Sequence, residues 1–209
     1  MDAYLILIDE LLATRRLARL GDTPSPDSLL LRHDVDVHLG WALQLGLAEA
    51  AQGLHATYFL SLQAPTFNLM CQDGREAVSA LFELGHQVGL HVDARWVEQE
   101  TWQPVCAWLG LATDMVTFHA PTSAWQVEPC VRILPSALSY RSDSGGSWRH
   151  GEPSGAPAGL PLLLNTHPIW WVPPGTREQR LTAAVTKSSM QAVLEWLPRL
   201  GEDIKGVIG

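Results

Sequence analysis

The stretch Leu29-Leu30-Leu31-Arg32-His33-Asp34-Val35-Asp36 passes from an apolar run to a cluster of ionisable side chains. A short apolar run bounded by polar residues, with helical patterns on either side, reads as a buried strand of a parallel sheet. The same transition recurs along the chain. Gln87-Val88-Gly89-Leu90 leads into His91-Val92-Asp93, and Met115-Val116-Thr117-Phe118 ends at His119. Leu138 to Ser142 ends at Asp143, and Leu162-Leu163-Leu164-Asn165-Thr166 ends at His167. In parallel sheets and barrels the carboxyl ends of the strands build the active site. Carboxylates and imidazoles gathered on that rim are the raw material of metal-assisted hydrolysis.

Working outward, Thr57-Tyr58-Phe59-Leu60 is β-branched and aromatic and adds another strand. Ala- and Leu-rich Gly40 to Gly53, then Arg75 to Leu84 and Glu98 to Leu109, read as helices between strands. Residues 1–20 interleave apolar and charged side chains as an amphipathic N-terminal helix does, and 177–200 form a C-terminal helical region. Ser142 to Pro161, rich in Gly, Ser and Pro, is a long loop on the functional rim. Strands alternating with helices give an α/β fold. About seven parallel strands fit, which predicts a distorted (β/α) barrel rather than a complete eightfold one, in one domain over 1–209.

The 209 residues are 46% apolar and 17% charged, so the chain can bury a core and is not disordered. A net charge of −8 with no Lys/Arg cluster argues against a nucleic-acid partner. No apolar run approaches the ~20 residues that span a bilayer, and no secretory signal pattern is present. Cys71, Cys106 and Cys130 match neither a disulfide framework nor a zinc motif and read as buried free thiols. The expected location is the cytoplasm. Oligomeric state is not encoded in any of these features.

Asp34 and Asp36, two apart on a strand, share a face. Two carboxylates so close repel unless a cation separates them or one is protonated. An N-cap role would explain Asp36 but not His33, Asp34 and the strand before them. His86 precedes the strand Gln87 to Leu90 and His91 ends it, so His86 reads as structural and His91 as a rim residue. His119 precedes Ala120-Pro121 at another strand end. Trp148 and Arg149, in the polar loop after Asp143, suit stacking on and hydrogen bonding to a sugar. Of Trp170 and Trp171 at least one should line the pocket, and Asn68 is expected to reach in from its irregular loop.

These motifs, in this order, resemble the polysaccharide deacetylase (NodB-homology) superfamily, which includes carbohydrate esterase family four. The segments that carry the likeness are His33-Asp34-Val35-Asp36, Thr57-Tyr58-Phe59, Gly85 to His91, Thr117 to Pro121, Ser142-Asp143-Ser144 with Trp148-Arg149, and Thr166 to Trp171. The resemblance implies a distorted β/α barrel that binds a divalent metal, zinc first, and removes an acetyl group from an N-acylated sugar. By the same resemblance Asp34 is the general base, Asp36 and His91 ligate metal, and His167 is the general acid. The superfamily places a second ligand histidine where this chain has Arg95, and an arginine where it has His119. The third ligand therefore falls to His119 or Asp93. Asn68, Asp93, Asp143, Trp148, Arg149, Trp170 and Trp171 make up the expected substrate contacts. The expected substrate is a carbohydrate, such as a nucleotide- or lipid-linked sugar precursor. Two other classes remain open at this point: a barrel that binds sugars for polysaccharide assembly without hydrolysing them, and a hydrolase of a non-sugar amide.

Overall fold

The computed structural model describes residues 1–93, 102–112, 114–119, 134 and 137–186. Arg95, Pro121, Cys130 and the segment 187–200 of the expected C-terminal helix lie outside the described residues. Helix α1 spans Asp2–Leu12 and strand β1 Arg16–Ala18, followed by β2 Ser28–Val35, α2 Leu39–Ala51 and β3 Thr57–Ser61. Then come α3 Gln72–Glu83, β4 Gln87–Asp93, α4 Gln103–Leu109, β5 Val116–His119, β6 Ser139–Ser142 and β7 Leu162–Thr166. The chain is again helical over 177–186.

All seven described strands pair in parallel, in the order β5-β4-β3-β2-β7-β6, with β1 also on β2. Read as a cycle, this is the chain's own order from β2 to β7, with β7 returning to lie against β2. A doubly wound sheet would instead reverse direction at a switch point. The fold is thus a distorted (β/α) barrel, with β2–β7 as the seam where the last described strand meets the first long one. Strand β2 takes β7 along one edge. Along the other it takes β1 beside Ser28 to Leu30 and β3 beside Arg32 to Val35.

Strand periodicity sorts side chains into two layers. Leu29, Leu31 and Val35 of β2, Tyr58 and Leu60 of β3, Val88, Leu90 and Val92 of β4, and Leu162 and Leu164 of β7 pack against the helices. Leu30, Phe59 and Leu163 point the other way and fill the barrel interior with Leu20 and Met115. Gly89 also faces inward, where a Cβ would stand 2.4 Å from the Met115 carbonyl oxygen and 2.6 Å from the Phe59 ring. The interior is narrow enough there that only glycine fits. Helix α3 buries Gly74, Ala77, Val78 and Leu81, the i, i+3, i+4, i+7 stripe of a surface helix.

The helix expected over residues 1–20 stops at Leu12, and Leu17 is a strand residue paired with Leu29. A three-residue strand is too short to show a period, and its pairing is decided by β2. Of the thiols expected to be buried, Cys106 is buried but Cys71 is exposed.

Candidate metal and acid–base site

The inward positions of each strand continue beyond the apolar layer into polar residues at the carboxyl rim. On β2 these are Arg32, Asp34 and, just past its end, Asp36. On β4 they are His91 and Asp93, on β5 Thr117 and His119, and past β7 His167. Parallel pairing sets His91 beside Thr117 and Asp93 beside His119.

Three of these converge. Asp36, His91 and His119 each offer a ligand atom, and these atoms all lie within 4.8 Å of one another. His91 Nε2 and His119 Nδ1 stand 3.2 Å apart, while Asp36 Oδ1 is 3.7 Å from the first and 3.6 Å from the second. Two imidazole nitrogens cannot face each other with both lone pairs free; a proton or a cation must lie between. Asp36 Oδ1 is buried and accepts no hydrogen bond among the described residues. His91 shares a 2.8 Å hydrogen bond with Thr117 through Nδ1. The tautomer that donates from Nδ1 leaves the Nε2 lone pair directed at the site. Burial holds the His91 pKa below its ordinary value despite Asp34 and Asp36, which keeps the ring neutral, as a ligand must be. The Asp36 carboxylate holds His119 above its ordinary value. Two imidazoles and one carboxylate, with one orphaned oxygen among them, fit the three-protein-ligand pattern of a catalytic divalent metal site. Asp93 is not in the trio; its backbone N–H donates to Gln63 Oε1.

Asp34 lies beside the trio, with Oδ2 4.0 Å from His91 Nε2. Arg32 donates to both of its oxygens, at 2.7 and 2.9 Å, and Asn165 Nδ2 donates to Oδ2 at 2.8 Å. Burial alone would push the carboxyl up; Arg32, His91 and His167 outweigh it and hold Asp34 well below the usual carboxylate range. The guanidinium rests over the Phe59 ring at 5.1 Å.

His167 Nε2 is 3.8 Å from Asp36 Oδ2, the oxygen other than the one nearest His91. Its Nδ1 is 2.6 Å from Asp143 Oδ1, and its backbone N–H also donates to that carboxylate. Burial disfavours the imidazolium, but Asp143, then Asp34 and Asp36, outweigh it and raise the His167 pKa.

The expected substrate contacts divide. Asp143 spends its second oxygen on the Trp171 Nε1–H at 2.6 Å, so it orients His167 and leaves little for another partner. Trp171 is half-buried against Tyr4, with Trp148 beyond it at 6.2 Å between ring centres. Trp170 is buried in an apolar cluster with Trp41, Ile169 and Ala184 rather than lining the rim. Arg149 is exposed. Asn68 is exposed too, and its Oδ1 accepts from the Met70 N–H in the turn before α3.

On the helix side of β2, Glu49 of α2 is completely buried. It accepts hydrogen bonds from Tyr4 and from Tyr58 at 2.6 Å, and lies 2.8 Å from His33 Nε2. His33 Nδ1 shares a 2.7 Å hydrogen bond with Thr166 of β7. The sequence reading assigned no role to Glu49, Arg32 or Asn165. Glu49 had a signal: it falls in helical phase with Ala42 and Leu45, on a stripe where a lone acid needs partners.

No protein-family model matches the chain, and no curated protein does. Among solved structures it is similar to a peptidoglycan deacetylase of Bdellovibrio bacteriovorus, at 15% identity and a TM-score of 0.43, over 84% of this chain and 54% of that one. The chain thus spans about half of that protein. It is also similar to a family 4 carbohydrate esterase from Bacillus anthracis, at 12% identity and a TM-score of 0.32, over 89% and 86% of the two chains. At such scores the chemistry of this chain rests on its own residues. Among the described residues no helix is long and apolar enough to cross a membrane.

Proposed function

We propose that the chain is a metal-dependent hydrolase that removes an acyl group, most simply acetyl, from the amide nitrogen of an N-acylated sugar. The observation that carries this is the convergence of Asp36, His91 and His119 between an ionised carboxylate on one side and a carboxylate-oriented imidazole on the other. A divalent ion held by that trio, zinc being suited to two nitrogens and one oxygen, supplies Lewis acidity and a more acidic water. Asp34, kept ionised and fixed in direction by Arg32 and Asn165, accepts a proton from the attacking water. His167, kept protonated by Asp143, delivers a proton to the departing amine, which is a poor leaving group without it. Trp171, which shares Asp143 with His167, and Trp148 beyond it, both half-buried, give a sugar ring an apolar surface. The exposed Cys71 thiol and the buried Cys106 thiol, both free, suit a reducing compartment, so a cytoplasmic sugar precursor is the substrate class this assigns.

A second reading, a barrel that binds sugars without hydrolysing them, is favoured by one observation. Asp34 already accepts three hydrogen bonds, which makes it a weak base. Acetate release separates the two. Zinc-loaded protein should release acetate from N-acetylated sugars, and Asp34→Asn should lower the rate by roughly two to four orders of magnitude, as loss of a general base does, while retaining metal. A loaded protein that binds these sugars but releases no acetate establishes the binding reading instead.

A further inference from the structure

We infer that the turn after Asp143 is a phosphate subsite, formed by Arg149 and Arg177, that receives a phosphate or diphosphate attached to the anomeric oxygen of the N-acylated sugar. The inference rests on the hydrolase reading only for the identity of that sugar.

Two guanidinium groups meet at one short turn of an acidic protein. Arg177 Nε donates to the Gly145 carbonyl at 2.8 Å and the group lies over the Trp170 ring at 5.7 Å. At the same glycine, Arg149 Nη2 stands 3.1 Å from where a Cβ on Gly145 would be. Both side chains are exposed, and among the described residues neither has a carboxylate within 4.0 Å. The neighbouring acid Glu178 turns its carboxylate to the Thr176 hydroxyl. A third cation adds to the field: Arg180 donates through Nη1 to the Trp170 carbonyl, and its Nε is buried with no partner among the described residues. With 22 acidic residues against 14 basic ones, carboxylates are plentiful, yet these arginines are directed at a glycine turn. Like charges brought together without a counter-ion repel, and a doubly charged, multi-oxygen anion is the partner that guanidinium forks match.

The position fits the chemistry of the neighbouring site. Gly146 N–H donates to the Asp143 carbonyl at 2.8 Å, and Trp170 N–H donates to the His167 carbonyl at 2.9 Å. The arginines are therefore one turn away from the His167–Asp143 pair. In a 2-acylamino sugar the amide-bearing carbon is bonded to the anomeric carbon, so an anomeric phosphate lies one ring edge from the amide. A sugar whose amide nitrogen faces His167 can thus direct its phosphate to this turn. Gly145 and Gly146 both have positive φ, and bare backbone there lets an anion approach closely.

Calorimetric titration of the metal-loaded protein with a nucleoside diphosphate tests the site without activity. The expected result is saturable binding, weakened about tenfold or more in the Arg149→Gln/Arg177→Gln variant, whose exposed positions leave the thermal midpoint unchanged. Absent binding, or binding that the variant leaves intact, overturns the inference. In a second arm, acetate release is compared on a free N-acetylhexosamine, its nucleoside-diphosphate form and a polyprenyl-diphosphate form. Arg177→Gln alone should raise KM for a diphosphate form and leave the free sugar unchanged, and the form with the lower KM in the unmutated protein identifies the source. Variant-sensitive diphosphate binding with no acetate release from any of the three sustains the subsite and sinks the hydrolase reading. Acetate release without such binding does the reverse.

Discussion

Asp34 and Asp36 are two positions apart on one strand face, yet their surroundings give them opposite uses. Arg32 and Asn165 fill most of the lone pairs of Asp34, whereas Asp36 Oδ1 is buried among two histidines and has no hydrogen-bond donor among the described residues. The same contrast separates the histidines. Burial holds the His91 pKa below its ordinary value, and Asp143 raises that of His167. A pH test follows from the second. An acid whose folded pKa is raised stays active up to a higher pH and fails as pH climbs through that raised value. Asp143→Asn removes the largest raising influence, so the alkaline limb of the kcat/KM profile should move to lower pH while the acidic limb stays in place. An unmoved alkaline limb would show that His167 is not the group that titrates there. The residues at strand ends were legible in the sequence because period-two alternation fixes which of them face inward. Asn165 was not assigned because its partner Asp34 comes from across the β2–β7 seam, whereas Arg32, two residues before Asp34 on the same strand face, could have been paired with it from the sequence. Trp170 and Trp171 could not be told apart either: a 3-10 turn at Pro168–Trp170, not an extended loop, decides that Trp170 turns into the apolar cluster.

At the scale of elements, the site is divided between strands that meet only through the barrel's closure. Strand β2 carries Asp34 and leads to Asp36, while β7 leads to His167, and their pairing is reinforced from the helix side by the His33–Thr166 bond. Glu49 anchors that reinforcement, tying α1 through Tyr4, β3 through Tyr58 and β2 through His33. Removing Glu49 leaves its buried hydrogen-bond donors without an acceptor, at about 1–3 kcal/mol for a buried polar group left unsatisfied. Glu49→Ala should therefore lose about that much in urea unfolding. The pH dependence has a definite sign. Burial raises the Glu49 pKa, but His33 and the two tyrosines outweigh it, so the folded value is depressed. Its contribution is complete above the unfolded carboxylate pKa of about 4.5 and is lost as pH falls through the folded value. Urea unfolding between pH 3 and 7 should show a smaller acid loss in Glu49→Gln than in the unmutated protein; equal slopes would remove Glu49 from the acid response. The strands and helices flanking this network were readable from their periods. Strand β1 was not, because three residues carry no period and the register with Ser28 to Leu30 is set by packing alone.

For the molecule as a whole, the barrel concentrates ionisable groups at one rim, where a bound cation would relieve two unfavourable terms. Asp36 brings a buried oxygen that no described residue donates to, and the two facing imidazole nitrogens compete for one proton. An ion that binds the folded trio and not the unfolded chain removes both terms and stabilises the fold by mass action, by about 2.7 kcal/mol at a hundred times its Kd. For a domain of 150–250 residues each kcal/mol shifts the midpoint by about 2–4 °C. Zinc at that excess should therefore raise the thermal midpoint by roughly 5–10 °C. Because affinity requires deprotonated ligands, the shift should shrink as pH falls and His91 and His119 become protonated. His91→Ala should abolish it, since His91 is the one member of the trio kept neutral by burial. Asp93→Ala should leave it in place, because Asp93 stands outside the converging trio. A midpoint that rises equally in His91→Ala would place the ion elsewhere on this acidic surface and would leave Asp36, His91 and His119 as a hydrogen-bonded cluster rather than a metal site.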